Sequence, residues 1–355
     1  MRLSLTEMPL AAVASPRAVP RPPLPLLITG PAGVAGYNAF CHYSALYPGQ
    51  VFALRRPEYW PLDRPGILPC HCEDLDELRR LFDQYKFAAV LDCEGNCALK
   101  SCELDPELAW RVNVSALRHL MEVVIERQVR FVHLSIDLVY SGADGRGGYV
   151  ETDPTDPVTV YGRTMAAAES LILAADPAAC ILRISLPMGV SFNGHAGAID
   201  WIQNRFKQHK PATLYYDEVR TPTYTDCLND CLPDVLNSNL RGIYHAGGPL
   251  PLSLYQIAQV VNRVGGYDPK LLMTISRHEA GPIPPRAGNV AMDSSKLAQA
   301  LGYPPFDPWP YDERFVPTHK DWHYERPADK PGSPELLSAV LYRNPLRRGE
   351  ATRER

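Results

Sequence analysis

Leu26-Leu27-Ile28-Thr29-Gly30-Pro31-Ala32-Gly33-Val34-Ala35-Gly36 is a short apolar run that passes directly into three spaced glycines and then into residues of helical periodicity. A lone glycine triplet carries little information. Between a strand and a helix, however, glycines permit a tight turn and let backbone N–H groups at the helix N-terminus approach a pyrophosphate. Gly30, Gly33, Val34, Ala35 and Gly36 are therefore candidate dinucleotide contacts, and Pro31 removes one amide donor from the turn.

Outward from this turn, short apolar runs at residues 51–54, 88–92, 130–134 and 180–184 alternate with helical spacing at 74–85, 106–127 and 161–174. Such alternation predicts an α/β fold: a Rossmann-like doubly wound parallel sheet over residues 26–185, with 222–247 returning to it. After Leu186 the rhythm breaks into loops with helices at 199–208 and 253–264, Ser253 being the expected N-cap. Residues 186–221 and 248–303 thus read as a smaller C-terminal substrate lobe. Residues 1–25, with Pro16, Pro20, Pro22, Pro23 and Pro25, read as a flexible Pro-rich arm. Residues 304–355 read as a Pro-rich C-terminal extension with a helix at 334–342 opened by Ser333. Its role stays open between an interaction arm, a strap over the active site and a loosely ordered end.

The second strand ends in Arg55 and Arg56, where an aspartate would grip a ribose 2′-hydroxyl. Guanidinium forks match phosphate oxygens, so this pair favours NADP over NAD, the plainer alternative being arginines that finish a strand at the surface. Composition narrows the partners. With 36 basic against 40 acidic residues and a net charge of -4, nothing draws the chain to nucleic acid or to an anionic membrane. No run approaches the roughly 18 apolar residues of a membrane span, and the apolar stretch at 10–14 is too short for a secretory segment, so a cytoplasmic location is expected. Nine cysteines, with Cys93, Cys97 and Cys102 clustered and Cys70 and Cys72 upstream, form no paired C-x-x-C motif. Reduced, buried thiols and no metal are the expectation.

One further segment is specific. Leu134-Ser135-Ile136-Asp137-Leu138-Val139-Tyr140-Ser141-Gly142 precedes Glu151 to Glu169, which contains Val160-Tyr161-Gly162-Arg163-Thr164-Met165. With the glycine turn, Asn113 in Val-Asn-Val, Arg183, Arg220 to Asp226, and Arg286 to Lys296, this resembles the extended short-chain dehydrogenase/reductase family. Within it, the chain is most similar to the dTDP-4-dehydrorhamnose reductases and the regulatory beta subunits of methionine adenosyltransferase. The resemblance spans roughly residues 26–303. It implies that Tyr161 exchanges a proton with the substrate oxygen while nicotinamide exchanges a hydride with the carbon, and that Asn113 and Leu186 join Tyr161 around the cofactor. It also implies a homodimer and a nucleotide-sugar pocket lined by Asn193, His195, Arg220 and Arg286, arginine contacting the diphosphate.

The catalytic set departs from the family. Met165 stands where a lysine belongs, and Ile136 where a serine or threonine polarises the carbonyl. Ser135 is one residue early, and alternation along a strand turns it to the other face. Three readings follow: an NADPH-dependent reductase of a keto-sugar nucleotide or similar carbonyl, with Tyr161 as proton donor; a catalytically silent cofactor-binding subunit with a protein partner; and a diverged enzyme recruiting Glu94, Asp137 or a cysteine. For His195 and Glu94, a surface loop position is the simpler account.

Overall fold

Seven strands build the central sheet: β1 (Leu26–Thr29), β2 (Val51–Arg55), β3 (Ile67–Pro69), β4 (Ala89–Asp92), β5 (Arg130–Ile136), β6 (Cys180–Ile184) and β7 (Gly242–Ala246). The structure is a computed structural model that describes residues 18–59, 61–194, 197–326 and 331–345. Spatial order is β7-β6-β5-β4-β1-β2-β3, and every neighbouring pair is parallel. Strand order reverses between β1 and β4, which is where a doubly wound sheet opens its binding crevice. The expected fold class is the one found.

Both faces of the sheet are covered, as continuous apolar strands require. Leu26 and Ile28 enter one buried cluster with Phe40 and Tyr43 of α1 (Val34–Leu46). Leu27 enters the other, with Leu78 and Leu81 of α2 (Leu75–Tyr85) and with Leu120 and Val124 of α3 (Ala116–Glu126). These three β1 side chains are fully buried, each stabilising the fold by about 1.5–3 kcal/mol on transfer grounds.

Local signals place several helix starts. Asp74 accepts the Glu77 N–H at 3.0 Å and opens α2, and Thr159 accepts the Gly162 N–H at 2.9 Å and opens α4 (Val160–Ala175). Residues 106–127 are not the single helix that their periodicity predicts. Pro106–Trp110 is followed by a π turn over Arg111–Ser115 and only then by α3. Such a turn inserts a residue into the helical ladder without disturbing the apolar pattern on either side, so it escapes a periodicity argument. β3, a three-residue edge strand, also escaped it; β7, which carries Tyr244 and His245, lies within the segment 222–247 read as returning to the sheet, though no strand was delimited there.

Beyond the sheet lie α5 (Ala198–Lys207), α6 (Thr225–Asn237) and α7 (Leu254–Val264), the last capped by Ser253, which accepts the Gln256 N–H at 3.1 Å. The described part of the extension packs onto these helices and ends in α8 (Pro334–Leu341), capped by Ser333. Trp309 is fully buried and donates its indole N–H to the Leu341 carbonyl at 2.9 Å. Tyr224 of the 223–224 strand donates to Val340 O at 2.8 Å, and Tyr342 donates to Asp200 of α5. A loosely ordered end therefore describes neither 304–326 nor 331–345. At the other terminus Arg21 donates to Gln50 at 2.7 Å, while residues 1–17 of the arm read from the sequence lie outside the described residues. Among the described residues no helix is long and apolar enough to cross a membrane.

Candidate active site

The glycine turn packs tightly against backbone at the sheet's C-terminal edge. Gly30 has φ +63°, and a Cβ there would fall 2.3 Å from the Cys93 carbonyl oxygen. At Gly36 a Cβ would fall 2.4 Å from the Gly30 oxygen. Backbone approach of this kind excludes any side chain at either position. Gly33 is the N-cap of α1 and brings no side chain to its end, so the amides of Val34, Ala35 and Gly36 have neither an intrahelical acceptor nor a cap. That arrangement fits a pyrophosphate.

At the end of β2 the two arginines behave differently. Arg55 donates Nη1 to the carbonyls of Arg56 and Pro57 at 3.3 and 3.1 Å, and its buried Nε has no partner. Arg56 lies between two carboxylates, with Nε 3.4 Å from Glu94 and Nη2 3.2 Å from Glu73. Burial pushes the Glu94 carboxyl above its ordinary range even against the pull of Arg56. Glu94 therefore belongs to the arginine cluster.

Tyr161 lies in the first turn of α4 and is buried. Burial drives its phenol well above the ordinary range; Cys97 and Asp137 push the same way, and Arg220 pulls back. Met165, one turn on, is buried. A Cβ at Gly95 would lie 3.9 Å from its Sδ, so the loop after β4 closes over this turn. Asn113, in the π turn, holds that loop: its Oδ1 accepts the Asn96 N–H at 2.6 Å, and its Nδ2 donates to Thr164 at 2.8 Å. Ser135 is buried and donates its hydroxyl to Glu169 at 2.5 Å, within a pair that Glu169 forms with Arg183. That hydroxyl is engaged by Glu169, about two turns beyond Tyr161 on α4, and alternation along β5 puts Ile136 on the opposite face of the strand. Leu186 follows β6, half-buried, with its carbonyl accepting the Thr223 N–H at 3.1 Å.

The substrate-lobe arginines are already paired. Arg220 makes a bidentate contact with Asp137, its Nε at 2.6 Å, and Ser185 donates to the same carboxylate. Glu218 lies 3.9 Å from Arg220 and 2.7 Å from Arg286, whose guanidinium also covers the Tyr215 ring at 4.7 Å. Burial opposes the charge on Arg220, but Asp137 and Glu218 outweigh it and hold the guanidinium above its usual value. Glu218 is itself pushed up by burial against both arginines. Asn193 sits exposed on the loop after the 187–188 strand, 3.5 Å from the Ser191 hydroxyl, and His195 lies outside the described residues. Glu73, Glu218 and Ser185 were missed by sequence reasoning: Glu73 lies 17 positions from Arg56, Ser185 48 from Asp137 and Glu218 68 from Arg286, although Glu218 is only two from Arg220. All described cysteines are free thiols, and among the described residues no cluster of three or more His, Cys, Asp and Glu is arranged for a metal.

The family model described as the RmlD substrate binding domain matches residues 25–313. The chain belongs to this family. The resemblance read from Gly30 to Lys296 is thereby upheld. A dTDP-4-dehydrorhamnose reductase of Aggregatibacter actinomycetemcomitans is 27% identical over 244 residues, which is 65% of this chain and 81% of that protein. The methionine adenosyltransferase 2 subunit beta of Xenopus laevis is 26% identical over 282 residues, 76% of this chain and 80% of that protein. Among solved structures, dTDP-4-dehydrorhamnose reductase from Bacillus anthracis in complex with NADP superposes with a TM-score of 0.65 at 17% identity, covering 80% of this chain and 95% of that one. At that identity the likeness speaks for the fold alone.

Proposed function

We propose that this protein is a nicotinamide-dinucleotide-dependent reductase of a ketone carried on a nucleotide sugar, with Tyr161 as proton donor. The observation that carries the reading is Tyr161, buried in the first turn of α4 with its phenol pushed well above the ordinary range, in a chain whose glycine turn presents uncapped helix amides that fit a pyrophosphate. The amides of Val34, Ala35 and Gly36 would hold the diphosphate of the dinucleotide, and Asn113 and Leu186 would border its nicotinamide end. When bound in reduced form, the dinucleotide supplies a hydride. Tyr161 then gives its proton to the substrate oxygen, and the resulting phenolate is reprotonated from solvent. A phenol that keeps its proton at neutral pH can donate it and cannot readily accept one, which suits the reductive direction better than the oxidative one.

Tyr161→Phe tests this. Turnover of keto-sugar nucleotides is expected to fall by about 10²- to 10⁴-fold with dinucleotide affinity retained; unchanged turnover overturns the assignment. A second reading has its own observation: Ser135 is committed to Glu169 and Met165 replaces a cation, leaving Tyr161 unassisted. A silent dinucleotide-binding subunit would bind the cofactor, oxidise none of it with any keto-sugar nucleotide, and co-purify with a partner protein.

A further inference from the structure

One buried carboxylate ties the C-terminal extension to the loop that follows the 187–188 strand. Asp200, in the first turn of α5, divides its two oxygens between distant elements. Oδ1 accepts the hydroxyl of Tyr342, just past the end of α8. Oδ2 accepts the hydroxyl of Ser191 and, at 3.4 Å, the N–H of Gly197. Ser191 belongs to the loop 189–194, which lies on α1. There Asn38 Nδ2 donates to Val34 O and to Val190 O, both at 2.7 Å, and the Phe192 ring stands 6.4 Å from that of Tyr37. A Cβ at Gly197 would lie 3.3 Å from the Val34 side chain, and Val34 brings one of the uncapped amides at the start of α1. Tyr342 thus reaches the phosphate turn in two steps, through Asp200 and through the loop. Its own place is fixed from beyond as well: Asn344 is fully buried and donates its N–H to Asp226 at 3.0 Å and its Nδ2 to Asp307 at 2.6 Å. Without the Tyr342 hydroxyl, a buried carboxylate oxygen loses a donor, and its gain comes from turning or drawing in water. Ser191 would turn with it, because both hydroxyls share the one carboxylate.

We propose that Tyr342 is a positioning residue: through Asp200 and Ser191 it braces the loop 189–194 against α1, so that the C-terminal extension sets how long a dinucleotide stays on the phosphate turn. The inference rests on the dinucleotide reading above and adds a role for the extension. Tyr342 touches no ligand in it and takes no part in proton or hydride transfer. Loops packed over a site commonly govern ligand release, and the effect therefore falls on dissociation more than on association.

The test uses the full chain in two measurements: stopped-flow dissociation of NADPH, and hydrogen exchange of residues 189–194 in the ligand-free protein. Tyr342→Phe and Ser191→Ala each release NADPH about tenfold faster and speed exchange in the loop, and the double variant is no worse than either alone, because the two hydroxyls act in series. Tyr224→Phe is the control. It removes the bond to Val340 O at 2.8 Å and the acceptor of the Tyr311 N–H at 3.0 Å, so it weakens the seat of the extension without touching Asp200. Its melting temperature falls while both readouts stay at the wild-type value. Ser191→Ala carries the test alone if Tyr342→Phe does not fold. Release and exchange unchanged in the folded variants, or changed as much by Tyr224→Phe, overturn the proposal. A folded wild type that binds no NADPH overturns the dinucleotide reading and the residence-time claim with it; loop exchange then decides the brace, faster exchange in Tyr342→Phe supporting it and unchanged exchange overturning it.

Discussion

Replacing Asp137 by asparagine removes one negative charge from a fully buried position and keeps the outline of the side chain. The carboxylate accepts two hydrogen bonds from the Arg220 guanidinium and one from Ser185. Bonds to charged groups are worth about 1.5–3 kcal/mol each, so losing the arginine pair costs roughly 3–6 kcal/mol. An independent route gives a similar figure: breaking one side of a buried ion pair costs about 3–5 kcal/mol, because the remaining charge is stranded. Here Arg220 would keep only Glu218, at 3.9 Å. The asparagine amide would also turn a donor toward a guanidinium that is all donors. Each kcal/mol lowers the melting temperature by about 2–4 °C in domains of 150–250 residues, so a fall of roughly 6–20 °C is expected, at the lower end for this longer chain. Circular dichroism melting at low and high salt measures it, and because a buried pair is little screened the loss should persist in salt. The double substitution Asp137→Asn with Arg220→Met should recover part of the loss by removing the stranded cation. A loss below about 1 kcal/mol, the range of exposed pairs, would refute the claim that Asp137 and Arg220 form a buried, mutually dependent ion pair.

Trp309→Ala should destabilise the protein by about 3–5 kcal/mol, because a fully buried indole and its bond to Leu341 O are removed; hydrogen exchange should show α8 losing protection, and an unchanged melt would exclude a structural role for the extension. For Glu94 the sign of the pH effect follows from its raised folded pKa. Its contribution is most favourable below the ordinary glutamate value of 4.5 and is lost as pH rises through the raised folded value. Glu94→Gln should therefore melt higher than wild type at neutral pH, with the gap closing on acidification; a gap that widens toward acid would contradict the assigned burial effect.

What was legible in the sequence is what is local. The Leu26–Thr29 run, the glycines after it and the caps at Asp74, Ser253 and Ser333 each depend on residues within one turn, so their spacing encodes their geometry. Ser135 is also local: alternation along β5 turns it away from the face of Ile136, and its hydroxyl is found on Glu169. The partners of the charged groups were not legible. Arg56 meets residues 17 and 38 positions away, and Arg220 meets one 83 away. No periodicity connects such groups, because the sheet order that brings them together is itself non-sequential. Reading Arg55 and Arg56 from the sequence therefore omits Glu73 and Glu94, the carboxylates that Arg56 meets in the folded protein.

The same pattern recurs at the other end of the crevice, and this bears on how ligands are chosen. Arg56, Arg220 and Arg286, each read from the sequence as a contact for an anion, already face carboxylates in the folded chain. A site of unpaired arginines would attract any phosphate through charge alone. A compensated site holds its arginines in fixed positions without that general pull, so an incoming diphosphate gains only where its geometry improves on the existing pairs. If the proposed substrate site is here, selectivity would lie in shape and hydrogen bonding, and the buried carboxylates Asp137 and Glu218 would take part in recognition together with the arginines they hold. Tyr161 sits beside this cluster, where Asp137 raises its pKa and Arg220 lowers it. A ligand anion that drew Arg220 away from Asp137 would strengthen the carboxylate's hold on the phenolic proton; one that left the pair intact would keep Tyr161 as it stands. In the reductase proposed above, substrate charge and proton donation would be coupled through that single ion pair.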